Sequence, residues 1–159
     1  MRKTNRVKVK IPAGVDAGQS VRVRGEGCVG VGGGPNGDLL VEISIRRHPI
    51  FTRNGTDVLC EVPITFTQAA LGATIQVPTL DGKVDYEIPE GTQTGTVFRL
   101  RGKGIPVLNG RGRGDQYVTV TIETPRDLNR EQKEALKKFS ETLGENNYEK
   151  RRSFFGKKK

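Results

Sequence analysis

Apolar and polar residues alternate with a period of two through most of the chain. The pattern runs through Val7-Lys8-Val9-Lys10-Ile11, Val21-Arg22-Val23-Arg24, 39–45, 57–64, 73–77, Val84-Asp85-Tyr86-Glu87-Ile88, Phe98-Arg99-Leu100-Arg101 and 117–122. That period puts the apolar side chains on one face of each segment, so it predicts half-buried antiparallel strands with their charged positions outward. A short segment rich in helix formers, 66–71, interrupts the series, and Asp81-Gly82 reads as a hairpin turn. From Asn129 the pattern becomes helical. Asn129 is placed to cap with Gln132, and Gln132, Leu136, Phe139 and Leu143 recur at helical spacing, with Ala135 beside them and Gly144 as the stop. Beyond it lie a polar linker at 145–149, a basic cluster and Ser153-Phe154-Phe155-Gly156, whose two adjacent aromatic rings want a partner surface.

The strands belong to an internal repeat. A shift of 77 positions aligns 7–45 with 84–122 without a gap, and 14 of the 39 positions are identical, among them Ile11/Ile88, Pro12/Pro89, Gly14/Gly91, Gly18/Gly95, Arg22/Arg99, Asp38/Asp115 and Val41/Val118. Each copy reads strand, Pro-x-Gly-x-x-x-Gly turn, strand, Gly-rich loop, strand, and two copies of one β-sandwich module are the economical reading. The second copy is preceded by a further strand-bearing stretch at 46–82. Its counterpart in the first copy would fall at −31 to 5, so the first module is expected to lack about its first half, to expose an unpaired sheet edge and to belong to a C-terminal fragment.

Charge first suggests nucleic acid, and its distribution weakens that suggestion. The chain has 159 residues with 27 Lys and Arg against 18 Asp and Glu, a net +9. The first ten and last ten residues together carry +11 with no acid, which leaves −2 for the body. The tails are basic and the folded part is not. Only 33% of residues are apolar while 21 are Gly, which predicts a thin core and many turns. No run approaches the roughly 20 apolar residues of a membrane span, no apolar signal segment follows the basic start, and a cytoplasmic protein with no membrane partner is expected. One His and two Cys without a Cys-x-x-Cys pair predict no metal site and no cofactor.

The motifs that suggest chemistry have plainer explanations. Gly25-Glu26-Gly27-Cys28-Val29-Gly30 satisfies G-x-G-x-x-G, but more Gly follows it instead of the helix a dinucleotide fingerprint requires, so it reads as a hairpin loop. Gly110-Arg111-Gly112-Arg113-Gly114-Asp115 occupies the corresponding loop of the second copy and reads as a solvated hairpin. His48 precedes Pro49 and has no evident triad partner; Cys28 and Cys60 have no His neighbour to activate them; Asp81 and Asp85 read as solvated turn residues. A non-enzyme is expected. An open antiparallel sandwich instead suits the capture of extended apolar peptides by strand addition.

Several strings together carry a family resemblance. They are Lys10-Ile11-Pro12-Ala13-Gly14-Val15, Gly33-Gly34-Pro35-x-Gly37-Asp38-Leu39, His48-Pro49-Ile50-Phe51-x-Arg53-x-Gly55-x-Asp57, Gln68-Ala69-Ala70-Leu71-Gly72-Ala73, Val77-Pro78-Thr79-Leu80-Asp81-Gly82, Ile88-Pro89-Glu90-Gly91-Thr92-Gln93-Thr94-Gly95 and Arg99-Leu100-Arg101-Gly102-Lys103-Gly104. Over essentially its whole length the chain closely resembles the C-terminal substrate-binding region of bacterial DnaJ-type co-chaperones. The J domain, the Gly/Phe linker and the four Cys-x-x-Cys-x-Gly-x-Gly zinc repeats of that family are absent from it.

The resemblance implies binding of unfolded client polypeptides, delivery to a DnaK-type ATPase chaperone, homodimerisation through the C-terminal end, and zinc only in a full-length relative. It places peptide-binding side chains at Val7 and Val41, with Val9 and Ile43 beside them, and repeat symmetry adds Val84 and Val118. The helix and tail residues Leu136, Phe139, Leu143, Phe154 and Phe155 are the expected dimer contacts. The expected organisation is the second half of a first β-domain at 1–46, a complete second β-domain at 47–125, a helix at 126–144 and a basic tail at 145–159. The fold class is mostly β, with two tandem β-sandwich modules, the first incomplete, and a C-terminal amphipathic helix. A basic, β-rich RNA-binding or ribosomal-type protein is the alternative, opposed by the acidic body and an aromatic content of 6%; a structural repeat domain that positions a neighbour is the other.

Overall fold

The computed structural model describes residues 6–27, 34 and 36–156; Cys28, Val29, Gly30 and most of the first Gly-rich loop lie outside the described residues, as do the first five and last three positions. The strands are β1 (Ser20–Val23), β2 (Leu39–Glu42), β3 (Thr52–Asn54), β4 (Asp57–Thr65), β5 (Ala73–Thr79), β6 (Gly82–Ile88), β7 (Val97–Leu100) and β8 (Gln116–Glu123). The α-helices are α1 (Phe66–Leu71), α2 (Arg130–Thr142) and α3 (Glu149–Gly156). Two compact units result, one running to Glu123 and one starting at Thr124.

The second copy of the repeat, together with the 46–82 stretch that precedes it, builds the core. Alternation along β4 turns Val58, Cys60 and Ile64 inward, and along β8 it turns in Gln116, Val118 and Val120. These strands sit at the centre of a sheet ordered β3-β4-β8-β7, and the β5-β6 hairpin packs Ile75, Val77 and Ile88 into the same cluster. The arrangement is a two-layer sandwich, in which each fully buried Val or Ile contributes about 1.5–3 kcal/mol. Helix α1 joins β4 to β5. Thr65 caps it, accepting from Gln68 N at 3.1 Å while Gln68 Oε1 accepts from Thr65 N at 3.0 Å, and Ala69 is buried beneath it.

The sequence repeat is also a structural repeat. Adding 77 to β1 yields β7, and adding it to β2 yields the first half of β8. The pairs Val21↔Val41 and Val23↔Leu39 become Phe98↔Val118 and Leu100↔Gln116. Both copies carry the same bulge, in which a glycine and the next residue face one residue across the ladder: Gly18 and Gln19 bond Ile43, and Gly95 and Thr96 bond Val120. Positive φ at Gly18 (83°) and Gly95 (86°) shapes it.

Four expectations change. First, β4 and β8 pair in parallel, with Cys60 opposite Val118; the 50 residues 66–115 separate them, long enough for the crossover that a parallel pair needs. Second, residues 7–11 form no strand, although their equivalents 84–88 do. β6 pairs only with β5, and the described residues supply no counterpart of β5 to the first copy. Third, the two residues at the hairpin tip are Leu80 and Asp81, because Thr79 pairs with Gly82. Fourth, the linker and tail are helical: a 3-10 turn spans Glu145–Asn147 and α3 follows. Glu, Lys and Arg favour helix, and Arg151 stacks over Phe155 at 4.7 Å one turn away.

Within the C-terminal unit, Asn129 caps α2 as predicted, accepting from Gln132 N at 2.8 Å, and Gln132 Oε1 accepts from Asn129 N at 2.8 Å. The helix ends at Thr142, and Leu143 rather than Gly144 is its C-terminal cap. No residue of α2 or α3 is buried.

Candidate functional site

No described residue before Val58 is buried, so the described residues of the first repeat copy form no closed core. Residues facing each other across an antiparallel ladder share a face, which puts Val21, Val23, Leu39 and Val41 on one side of the β1-β2 ribbon. Ile43 extends that stripe by one more step, fixed through Ile43 N donating to Gln19 O at 2.9 Å and Gly18 N donating to Ile43 O at 3.0 Å. All five side chains are half-buried. Val7 and Val9 are also half-buried and alternate with the exposed Arg6, Lys8 and Lys10. Among the described residues β2 has a strand on one side only.

The second copy shows the same face covered. Val118 is 2% exposed and Val120 0%, because β4 occupies the far edge of β8 and the β5-β6 hairpin lies across the face. Val84 is half-buried and packs against this cluster, as does Tyr86, whose ring centroid stands 4.9 Å from that of Phe98. The structure therefore brings Val41 and Ile43 together on an accessible stripe and places Val118 in a core. Sequence reasoning passed over Val21, Val23 and Leu39, although their period-two alternation on the neighbouring strand was the signal. Such a stripe beside an open edge can receive an extended chain: the edge supplies main-chain hydrogen bonds and the stripe takes alternate apolar side chains.

The expected contact residues of the C-terminal unit are accessible. Leu136 is 43% and Phe139 42% exposed on one stripe of α2, with Leu143 half-buried at its cap. Phe154 is 71% and Phe155 57% exposed, their rings meeting edge to face at 5.0 Å. Glu145 lies 3.6 Å from Arg151.

Polar side chains elsewhere hold turns. Asp115 accepts from Gly102 N at 2.9 Å and pairs with Arg99 Nε at 2.7 Å, and these contacts keep its carboxyl below the usual carboxylate range, the backbone bond contributing most. Arg113 donates to Gly104 O at 3.0 Å and pairs with Asp81, so the Arg-Gly loop is tied to the β5-β6 tip and Asp81 is not merely solvated. His48 Nδ1 accepts from Ile50 N at 3.1 Å and Phe51 N at 3.4 Å, closing its own turn. Burial pushes the Cys60 thiol pKa up, which makes it a poor nucleophile. No group of three His, Cys, Asp or Glu suited to a metal occurs among the described residues, so the side chains described do not fit a zinc site. No described helix is long and apolar enough to cross a membrane.

Comparison with known proteins gives this geometry a context. Residues 1–125 match the family described as DnaJ C terminal domain, and residues 131–159 match the Chaperone protein DnaJ C-terminal region. The chain is 61% identical over 159 residues to Chaperone protein DnaJ of Ruminiclostridium cellulolyticum and 60% identical over 159 residues to that of Acetivibrio thermocellus, in each case along 100% of this chain. It is 54% identical to the Clostridioides difficile protein of the same name over 96% of its length. It spans 42%, 41% and 40% of those three relatives. With a doubled β-unit, a terminal helical unit and a match running through both, the chain belongs to the DnaJ C-terminal domain family.

Proposed function

We propose that this chain is the client-binding part of a co-chaperone, taking up extended apolar segments of unfolded polypeptides without catalysing a reaction. The observation that carries the reading is the half-buried stripe Val21, Val23, Leu39, Val41 and Ile43 beside the edge of β2 that no described strand covers. Val7 and Val9 extend the apolar surface, since their repeat equivalents Val84 and Tyr86 pack on the corresponding face of the second copy. A client reaches Val118 only when the β5-β6 hairpin moves aside, whereas Val84 is half-buried on that hairpin, so the first copy is the main site.

The family supports the wider setting. In the longer protein the client passes to a DnaK-type ATPase chaperone in the cytoplasm, and zinc belongs to a part of the relatives that this chain does not cover. Residues 1–46 and 47–125 act as two β-domains. Residues 126–144 and the tail provide homodimer contacts through Leu136, Phe139, Leu143, Phe154 and Phe155; the exposure of all but the half-buried Leu143 supports that role.

Suppression of aggregation of a chemically unfolded client tests the first claim. Val41→Asp with Ile43→Asp places two charges on the stripe and is expected to reduce suppression severalfold, whereas undiminished suppression overturns the assignment. Sedimentation equilibrium of the chain against a version ending at Pro125 tests the second, and equal association states would sink it.

A further inference from the structure

Arg53 of β3 lies in the stretch at 46–82 that completes the second module and reaches out of it into the first repeat copy. Its Nη1 donates to Val15 O at 2.8 Å and its Nη2 to Gly14 O at 3.0 Å, while Nε donates to Gly55 O at 2.8 Å in its own turn. Nε also stands 3.5 Å from Asp16 Oδ2. The side chain is only 23% exposed, so the fork is held in place and partly dry.

The same turn is gripped from its other side. A Cβ on Gly14 would overlap Pro106 O and come within 2.9 Å of Leu108 N, and the φ of +88° already restricts the position to glycine. The turn is thus clasped between Arg53 and the 106–108 loop, both in the second module.

This clasp is not part of the fold common to both copies. At the equivalent turn, Gly91 N and Thr92 N donate instead to Ala69 O, and nothing stands within 4 Å of a Cβ on Gly91. Nor does the connection between the copies fix their orientation, because residues 43–51 lie in no strand or helix and 44–50 are exposed.

We propose that Arg53 is a positioning residue: its fork on the Gly14 and Val15 carbonyls locks the two repeat copies in one relative orientation. The peptide-binding stripe is thereby presented at a fixed spacing from the second copy. The lock rests on geometry alone and stands whether or not the stripe binds clients.

Pulsed electron paramagnetic resonance on the whole chain tests it. Spin labels go on Ser20→Cys and Gln76→Cys in a Cys28→Ser background, with Cys60 too buried to label. The parent is expected to show one narrow distance distribution. Arg53→Gln and Gly14→Ala, which break the clasp from opposite sides, should each widen it at least twofold. Arg53→Lys keeps the charge but cannot bridge both carbonyls and should widen it too. Slow amide exchange at Val118 and Val120 must persist in all three. Distributions as narrow as the parent's in Arg53→Gln and Gly14→Ala overturn the proposal, and so does widening accompanied by loss of slow exchange, which would make Arg53 a support of the second copy's fold.

Discussion

Val41 and Val118 occupy the same place in the repeat, each opposite an apolar residue of the preceding strand, yet Val118 is 2% exposed and Val41 only half-buried. What separates them is cover: Val118 has β4 at its far edge and a hairpin across its face. Val118→Ala should therefore destabilise the chain by about 2 kcal/mol, and Val41→Ala by under about 1 kcal/mol. Urea denaturation of the two variants checks this, and the opposite order would contradict the assignment of core and surface.

Gln116 is wholly buried, donates to Pro78 O at 2.8 Å and leaves its Oε1 without a hydrogen bond. Its repeat equivalent is Leu39. Gln116→Leu should stay within about 1 kcal/mol of the parent, because the lost bonds from Nε2 to Pro78 O and, at 3.3 Å, to Cys60 Sγ are offset by removal of the unsatisfied oxygen, while Gln116→Ala opens a cavity and should cost about 2–3 kcal/mol. Denaturation midpoints distinguish the two.

The depressed pKa of Asp115, due first to Gly102 N and then to Arg99, makes stability depend on acid. A carboxyl that ionises more readily when folded contributes fully above its unfolded pKa, about 3.9, and loses that contribution as the pH falls through the lower folded value. Between pH 5 and 2 the parent should lose stability more steeply than Asp115→Asn. Parallel curves would mean that the carboxylate contributes nothing there.

Two glycines should differ sharply on replacement. A Cβ on Gly114 would overlap Thr56 O and lie 2.8 Å from Thr56 Oγ1, whereas Gly95 has a φ of +86° and open space around it. Gly95→Ala should cost about 1–2 kcal/mol for its backbone conformation. Gly114→Ala should cost about 3 kcal/mol, since backbone must move. Thermal unfolding of both variants measures the gap.

Asn129→Ala removes the reciprocal cap of α2. A loss of about 1 kcal/mol of helix stability is expected, visible as lower helical circular dichroism. Unchanged ellipticity would show that contacts other than the cap hold the helix.

Much of this was legible along the chain. Period-two alternation marked the strands, and the 77-residue repeat predicted shared registers that the pairs Val21↔Val41 and Phe98↔Val118 display. Asn129 and Gln132 announced the start of α2, and helix formers at 66–71 marked α1. The parallel pairing of Cys60 with Val118 left no local trace, because strand direction across a long crossover depends on the path of the chain. The grip of Arg53 on Gly14 and Val15 was equally hidden: it joins residues 38 and 39 positions apart through backbone carbonyls, which leave no mark on residue choice.

The sequence by itself determined the repeated β-unit, the capped terminal helix, the basic ends and the family, since each is written in local spacing or in identities between copies. Only the tertiary structure decided which equivalent face is core and which is surface. Val41 and Val118 are the same residue in the same local pattern, and burial belongs to what packs over a side chain rather than to the side chain itself.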